Sequence, residues 1–186
     1  MRIIAGKYKS RAVKAPKGPH IRPTSDKVKG ALFNMLEPLE GCTVVDLYAG
    51  TGNLGIEALS RGASIAVFID RSARSVKLIR RNLSLCDMEP VSITVKWNLA
   101  RGLPWKNPWL RQGMDLVFID PPYRTGLIPL ILTGLCERKI LSPSSVVVAE
   151  SSKTEPLPKV IRDLKMVKTR TYGETKIDIF TCEDAQ

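Results

Sequence analysis

Apolar strands alternate with amphipathic helices from residue 43 to 149, a glycine-rich turn joins the first strand to the next helix, and the tail is rich in β-formers. Together these predict an α/β protein with a mostly parallel, seven-stranded sheet covered by helices on both faces. Thr24, Ser25 and Asp26 are helix-starting residues, and Val28, Ala31, Leu32, Met35 and Leu36 behind them fall at helical spacing, stopping before Pro38 and Gly41. Thr43 to Tyr48 reads as the first strand, and Leu54 to Arg61 as a helix closed by Gly62. Ile65 to Ile69 is the second strand, and Ser72 to Cys86 a helix with Val76, Ile79 and Leu83 on one face. Val91 to Trp97 and Asp115 to Ile119 are the third and fourth strands. Leu127 to Arg138 is helical, with Pro129 tolerated in its first turn, and Val146 to Ala149 is the fifth strand. Met166 to Thr181 holds two β-rich runs around Tyr172-Gly173, an antiparallel hairpin. Residues 2–14 alternate loosely around Gly6-Lys7 and predict a small basic hairpin, with a loop from Pro16 to Pro23. Leu103 to Gln112 reads as an irregular connection whose Trp105 and Trp109 could serve as core, lid or RNA contact, the core being the favoured reading.

The chain of 186 residues fits one domain, with residues 1–24 as an extension and 25–186 as the core. No apolar stretch approaches the ~20 residues that span a bilayer, and the opening run is too short for a secretory leader. A cytoplasmic monomer is expected. Cys42, Cys86, Cys136 and Cys182 stand far apart, which excludes a Cys-x-x-Cys site and suggests reduced, mostly buried thiols. The single histidine, His20, lacks companions for a zinc site or a nucleophilic triad, so no metal is expected and it reads as a loop residue. Net charge is +11, and its placement matters more than its size. Residues 1–30 hold nine Lys/Arg, among them Arg2, Lys7, Lys9, Arg11, Lys14 and Lys17, against Asp26 alone. Such density suggests a polyanion partner; a solvated tail would carry the same charge. A membrane surface fits less well, because the segment has no leucine and aromatic face.

The apolar run Leu116-Val117-Phe118-Ile119 ends in Asp120-Pro121-Pro122-Tyr123. In open parallel sheets ligands bind at the carboxyl edge. A carboxylate and a backbone carbonyl there can accept the hydrogens of an exocyclic amine while an aromatic ring stacks on the base, and the proline at 122 stiffens the turn. Alone, the segment reads equally well as a strand-ending turn.

Gly50, Gly52 and Gly55 form G-x-G-x-x-G between the first strand and its helix, and Asp70 ends the second strand 15 residues beyond Gly55. A carboxylate there can accept both hydroxyls of a ribose. A dinucleotide or S-adenosylmethionine could use this frame. Asp46 favours the second, because an acid in the turn repels pyrophosphate and suits a cationic amino-acid half. The chain also lacks length for a separate substrate domain.

Taken with these motifs, the chain resembles class I S-adenosylmethionine-dependent methyltransferases, and among them the bacterial small-subunit rRNA guanine-N2 methyltransferases. The likeness runs from Arg2-Ile3-Ile4-Ala5-Gly6-Lys7-Tyr8 through Arg22-Pro23-Thr24 and Ala31-Leu32-Phe33-Asn34 to the segment Asp46 to Ala63. The resemblance implies a Rossmann-like fold, S-adenosylmethionine as methyl donor, and small-subunit ribosomal RNA or the assembled subunit as partner. By position it implies that Asp46, Gly50 and Gly52 line the methionine half and that Asp70, where the family more often has Glu, holds the ribose. Asn98 falls near the adenine, and Arg22 and Thr24 pack near the cofactor. Asp120, Pro121, Pro122 and Tyr123 would grip the guanine, and the basic extension would hold phosphates. A DNA or protein amino-methyltransferase, a dinucleotide-dependent oxidoreductase and a non-catalytic RNA-binding module are the competing readings.

Overall fold

The computed structural model describes residues 1–15, 26–36, 38–122 and 125–182. Its centre is a sheet in which β1 (Thr43–Leu47), β2 (Ile65–Asp70), β3 (Ser92–Lys96), β4 (Met114–Ile119) and β5 (Leu141–Ser152) run parallel. β6 (Val160–Ile161), β7 (Leu164–Tyr172) and β8 (Thr175–Cys182) add an antiparallel flank, giving the order β3-β2-β1-β4-β5-β8-β7-β6. The chain leaves β1 for one side and returns to pair β4 on the other, so a crevice opens between β1 and β4 at their carboxyl ends.

Among the described residues four α-helices cover the sheet: α1 (Asp26–Phe33), α2 (Asn53–Ser60), α3 (Ala73–Ser84) and α4 (Leu127–Glu137). Because strand side chains alternate, the central strands must be apolar on both faces. Val44, Phe68, Phe118 and Val148 pack against Phe33, Ile56 and Ile79, from α1, α2 and α3. Val45, Val67, Val117 and Val147 pack against Ile128, Leu132 and Leu135 of α4, and against Leu99, Leu103 and Leu110 of the connection before β4. Among the described residues no helix is long and apolar enough to cross a membrane.

The extension folds back on itself antiparallel: the Arg2–Ala12 bridge and the Ile3, Ser10 and Val13 N–H groups, which donate to the Arg11, Ile3 and Met1 carbonyls, join its limbs, and the segment is held to the core. Ile3 and Val13 are buried. Glu57 of α2 accepts the backbone N–H of Ile4 (2.9 Å) and Ala5 (3.0 Å). Ser60 accepts the Tyr8 N–H at its hydroxyl and the Lys7 N–H at its carbonyl. Gly6 lies so near that a Cβ would stand 1.7 Å from the Ser60 carbonyl oxygen, and its φ of +79° suits only glycine well. Glu57 is fully buried yet paired with Lys29 and Arg61, each at 2.9 Å. Burial alone would raise its pKa; the Ile4 N–H and the two cations outweigh that and hold it below the ordinary value. The expected boundary at residue 24, and His20, lie outside the described residues.

Several differences have local causes. The sheet has eight strands because Val160–Ile161 adds a two-residue edge, too short to show periodicity. β5 extends well beyond Val146 to Ala149, with an irregularity opposite Met114/Leu116. Helix α1 stops at Phe33, with Met35 and Leu36 in the turn behind it. Trp105 and Trp109 are 39% and 38% exposed rather than core residues, and Trp105 lies under the cations of Lys106 and Arg138. Of the four free cysteines only Cys86 is buried; the others are half-buried.

Candidate active site

The glycine turn after β1 is built by three glycines with separate reasons. Gly50 and Gly52 have φ of 56° and 78°, which turn the chain sharply into α2. Gly55 sits against the sheet: a Cβ there would meet Phe68 at 2.3 Å. Tyr48, at φ 62°, takes the same left-handed conformation without being glycine, a strained position at the mouth of the crevice. Its hydroxyl is buried and has no hydrogen-bond partner among the described residues.

Two carboxylates tie the turn down. Asp46 Oδ2 accepts the Gly55 N–H at 3.0 Å. Asp70 accepts the Gly50 N–H at 2.9 Å with Oδ2 and the Ser72 N–H at 2.7 Å with Oδ1. Ser72 in turn caps α3 through the Ser75 N–H. Asn98 accepts the Ala100 N–H at Oδ1, leaving one lone pair and its NH2 group.

A cleft of about 630 Å³ opens above these residues. Asp46, Gly50, Asp70 and Asn98 line it on one side, and Asp120, Pro121 and Pro122 on the other. The sequence-predicted site residues therefore converge, with one exception: Gly52 is buried beneath the turn, against Ile56 and Phe68. Tyr123, Arg22, Thr24 and Lys17 lie outside the described residues. Arg2, Lys7, Lys9, Arg11 and Lys14 are exposed on the extension. Arg2 pairs with Asp26, and Arg11 with Asp87, both at the surface.

The cleft also contains residues not foreseen from the sequence: Met1, Tyr48, Trp97 and Glu150. Met1 reaches it because the docked extension ends there, with its sulfur facing the Thr51 hydroxyl. Trp97 is oriented by its ring N–H, which donates to the Gly102 carbonyl at 2.8 Å. Glu150 follows the apolar run Val146-Val147-Val148-Ala149, the same strand-then-acid pattern as Leu116 to Asp120, and that pattern could have revealed it.

Sheet register explains the site's electrostatics. Asp46 pairs with Phe118 and Phe118 with Val148, so these three side chains share one face. Two residues further along, Asp120 and Glu150 share it too, and Asp70 stands on it two residues beyond Phe68, which pairs with Asp46. Four carboxylates thus meet in the cleft, with Arg71 the single cationic side chain among the described lining residues. Burial lifts Asp46 to about 7, with the charge of Asp70 adding to it and the Gly55 N–H opposing. Burial also lifts Asp120 well above the usual carboxylate range, helped by the charges of Glu150 and Asp46. Clustered acids with raised pKa values at a ligand edge mark a functional site.

A mostly parallel sheet of this order, helices on both faces, and a glycine-lined hollow at the carboxyl rim define the class I methyltransferase architecture. The chain belongs to the family described as conserved hypothetical protein 95, whose profile matches residues 1–181, and it is a methyltransferase. It is 36% identical over 181 residues to YlbH of Bacillus subtilis, covering 97% of this chain and 98% of that protein. It is 33% identical over 160 residues to ribosomal RNA small subunit methyltransferase D of Haemophilus influenzae, covering 84% of this chain and 81% of that protein. The solved structure of yhhF from Escherichia coli matches 100% of this chain and 99% of its own with a TM-score of 0.85 at 28% identity.

Proposed function

We propose that this methyltransferase transfers the methyl group of S-adenosylmethionine to the exocyclic N2 amine of a guanine in small-subunit ribosomal RNA. The observation that carries this reading is the opposition, across one cleft, of the Asp46–Gly50–Asp70 wall and the Asp120-Pro121-Pro122 turn. The names of relatives such as the Haemophilus influenzae enzyme support the RNA substrate.

The residues fit the methyl donor and disfavour a dinucleotide. The Asp46 and Asp70 carboxylates on the glycine-turn wall would repel a pyrophosphate, but they suit a ligand that carries an ammonium and a sulfonium and no phosphate. Asp70 keeps lone pairs for ribose hydroxyls while its backbone bonds hold it still. When bound, the donor supplies a methyl group already activated by a positively charged sulfur.

The protein's part is to position the amine and support its developing charge. The N2 lone pair of guanine is delocalised into the ring and is a poor nucleophile. Hydrogen bonds from the two N2 hydrogens to the Asp120 carboxylate and the Pro121 carbonyl would turn that lone pair outward and stabilise positive charge on nitrogen. Each bond to a charged partner contributes about 1.5–3 kcal/mol. Tyr123 is assigned to stack on the base, adding ~1–3 kcal/mol, and the base must be unpaired or flipped out to be reached. Asp120 accepts best when ionised, and its raised pKa means that methyl transfer falls as pH drops through that raised value. The exposed cations of the extension would hold RNA phosphates.

Labelled methyl transfer to small-subunit rRNA, followed by nucleoside mapping, tests the reaction. Asp120→Ala should keep the thermal stabilisation given by S-adenosylhomocysteine and lose transfer by about 10²–10³-fold. Stabilisation by NAD instead, or a fully active Asp120→Ala, would overturn the proposal.

A further inference from the structure

Glu150 stands beside Asp120 in the cleft and has no part in the reaction as described so far. We propose that Glu150 is the residue that selects guanine: its carboxylate accepts the N1–H of the base whose N2 amine Asp120 holds. The inference rests on the proposed function and deepens it.

The placement follows from the sheet. Ile119 pairs with Ala149, so Asp120 and Glu150 are the next residues along two adjacent strand paths, which run about 4.8 Å apart. Both belong to the sheet face that carries Asp46, and both line the one cleft. The charge of Glu150 acts on Asp120, as it must if the two carboxyl groups face the same space.

The chemistry follows from the edges of the bases. Guanine offers two donors side by side, N1–H and the N2 amine. Adenine and cytosine each offer an amine beside a ring nitrogen that is an acceptor. A lone Asp-Pro-Pro turn can grip any of these amines. A second carboxylate beside it matches guanine alone, because against adenine or cytosine it would set lone pair against lone pair. Sites that present a buried hydrogen-bonding group reject a ligand lacking the partner far more strongly than sites that only measure shape. Two donors arriving together would also relieve the repulsion between the two acids, giving the like-charged pair a use.

The test compares guanine with 2-aminopurine at the mapped target position of the RNA, free or assembled, that the wild-type protein methylates. 2-Aminopurine keeps the amine and lacks the N1 proton. Wild type should prefer guanine by about 10⁴-fold in kcat/KM. Glu150→Gln, whose amide can donate to an unprotonated N1, should compress that preference to a few-fold, and Glu150→Asp should preserve it. Thermal stabilisation by S-adenosylhomocysteine should be equal in all three proteins, which separates lost selectivity from lost folding. Equal wild-type rates on the two bases would overturn the role of Glu150 without any variant. So would an unchanged preference in a stabilised Glu150→Gln, and either result leaves guanine methylation standing. Methyl groups found on a base other than guanine would overturn the proposed function and the role of Glu150 together.

Discussion

Glu57 and Asp46 are acids of nearly equal burial, 0% and 2% exposed, and the fold treats them in opposite ways. Glu57 receives two backbone N–H groups and two cations, and its pKa is held down. Asp46 receives the Gly55 N–H, has acids nearby, and its pKa is pushed up to about 7. Burial is therefore not what separates a structural charge from a functional one; the company it keeps is. A compensated acid fastens two pieces of chain together. An acid left among acids holds unspent affinity for positive charge and hydrogen-bond donors, which is what a cationic cofactor and an amine bring.

The contrast can be broken most severely at Glu57. Glu57→Ala leaves Lys29 buried without its acid and frees the Ile4 and Ala5 N–H groups. It should cost about 3–5 kcal/mol in urea unfolding followed by circular dichroism. A loss under about 1 kcal/mol would erase the distinction drawn here.

The opposite sign is expected at Asp46. Its proton is held more tightly in the fold than in the unfolded chain, where the carboxyl titrates near 3.8. The stability linked to that proton is complete below about pH 4 and is lost as pH rises to about 7, a change of at most about 4 kcal/mol. Asp46→Asn keeps an acceptor for the Gly55 N–H and removes the charge. Without cofactor, it should gain on wild type in Tm between about pH 4 and pH 8, with no gain at the acid end. Equal differences at both ends would remove the raised pKa, and a loss that grew with rising pH would place Asp46 with Glu57 as a compensated group.

Arg11 sharpens the comparison from the surface. Its pair with Asp87 is exposed, so Arg11→Ala should change stability by no more than about 1 kcal/mol. As a proposed phosphate contact it should lower the slope of log affinity for rRNA against log salt by about 1. An unaltered slope would make Arg11 scaffold only.

Local patterns were legible wherever one strand or turn carried its own signal. The glycine turn, the strand ending at Asp120 and the helix bearing Val76, Ile79 and Leu83 could be read because spacing within a few residues defines them. What escaped depends on pieces distant in sequence. Arg61, four residues on, would pair equally well with a solvated helix acid; only the arrival of residues 4, 5 and 29 makes Glu57 a buried hub. Glu150 lies one residue past the apolar run Val146 to Ala149, where periodicity stops marking the strand, although an acid after such a run repeats the logic of Asp120. Trp105 and Trp109 do not fill the core, because the buried positions of their connection are taken by Leu103 and Leu110.

The docking of the extension onto α2 has a consequence for biosynthesis. Residues 2 to 14 leave the ribosome before their anchors, Glu57 and Ser60, which are translated some fifty residues later. At ~5–20 residues per second the segment waits on the order of seconds, cationic and with Ile3 and Val13 uncovered, before its berth exists. A stretch made early thus settles late, and nascent chains halted before residue 57 should expose it to protease.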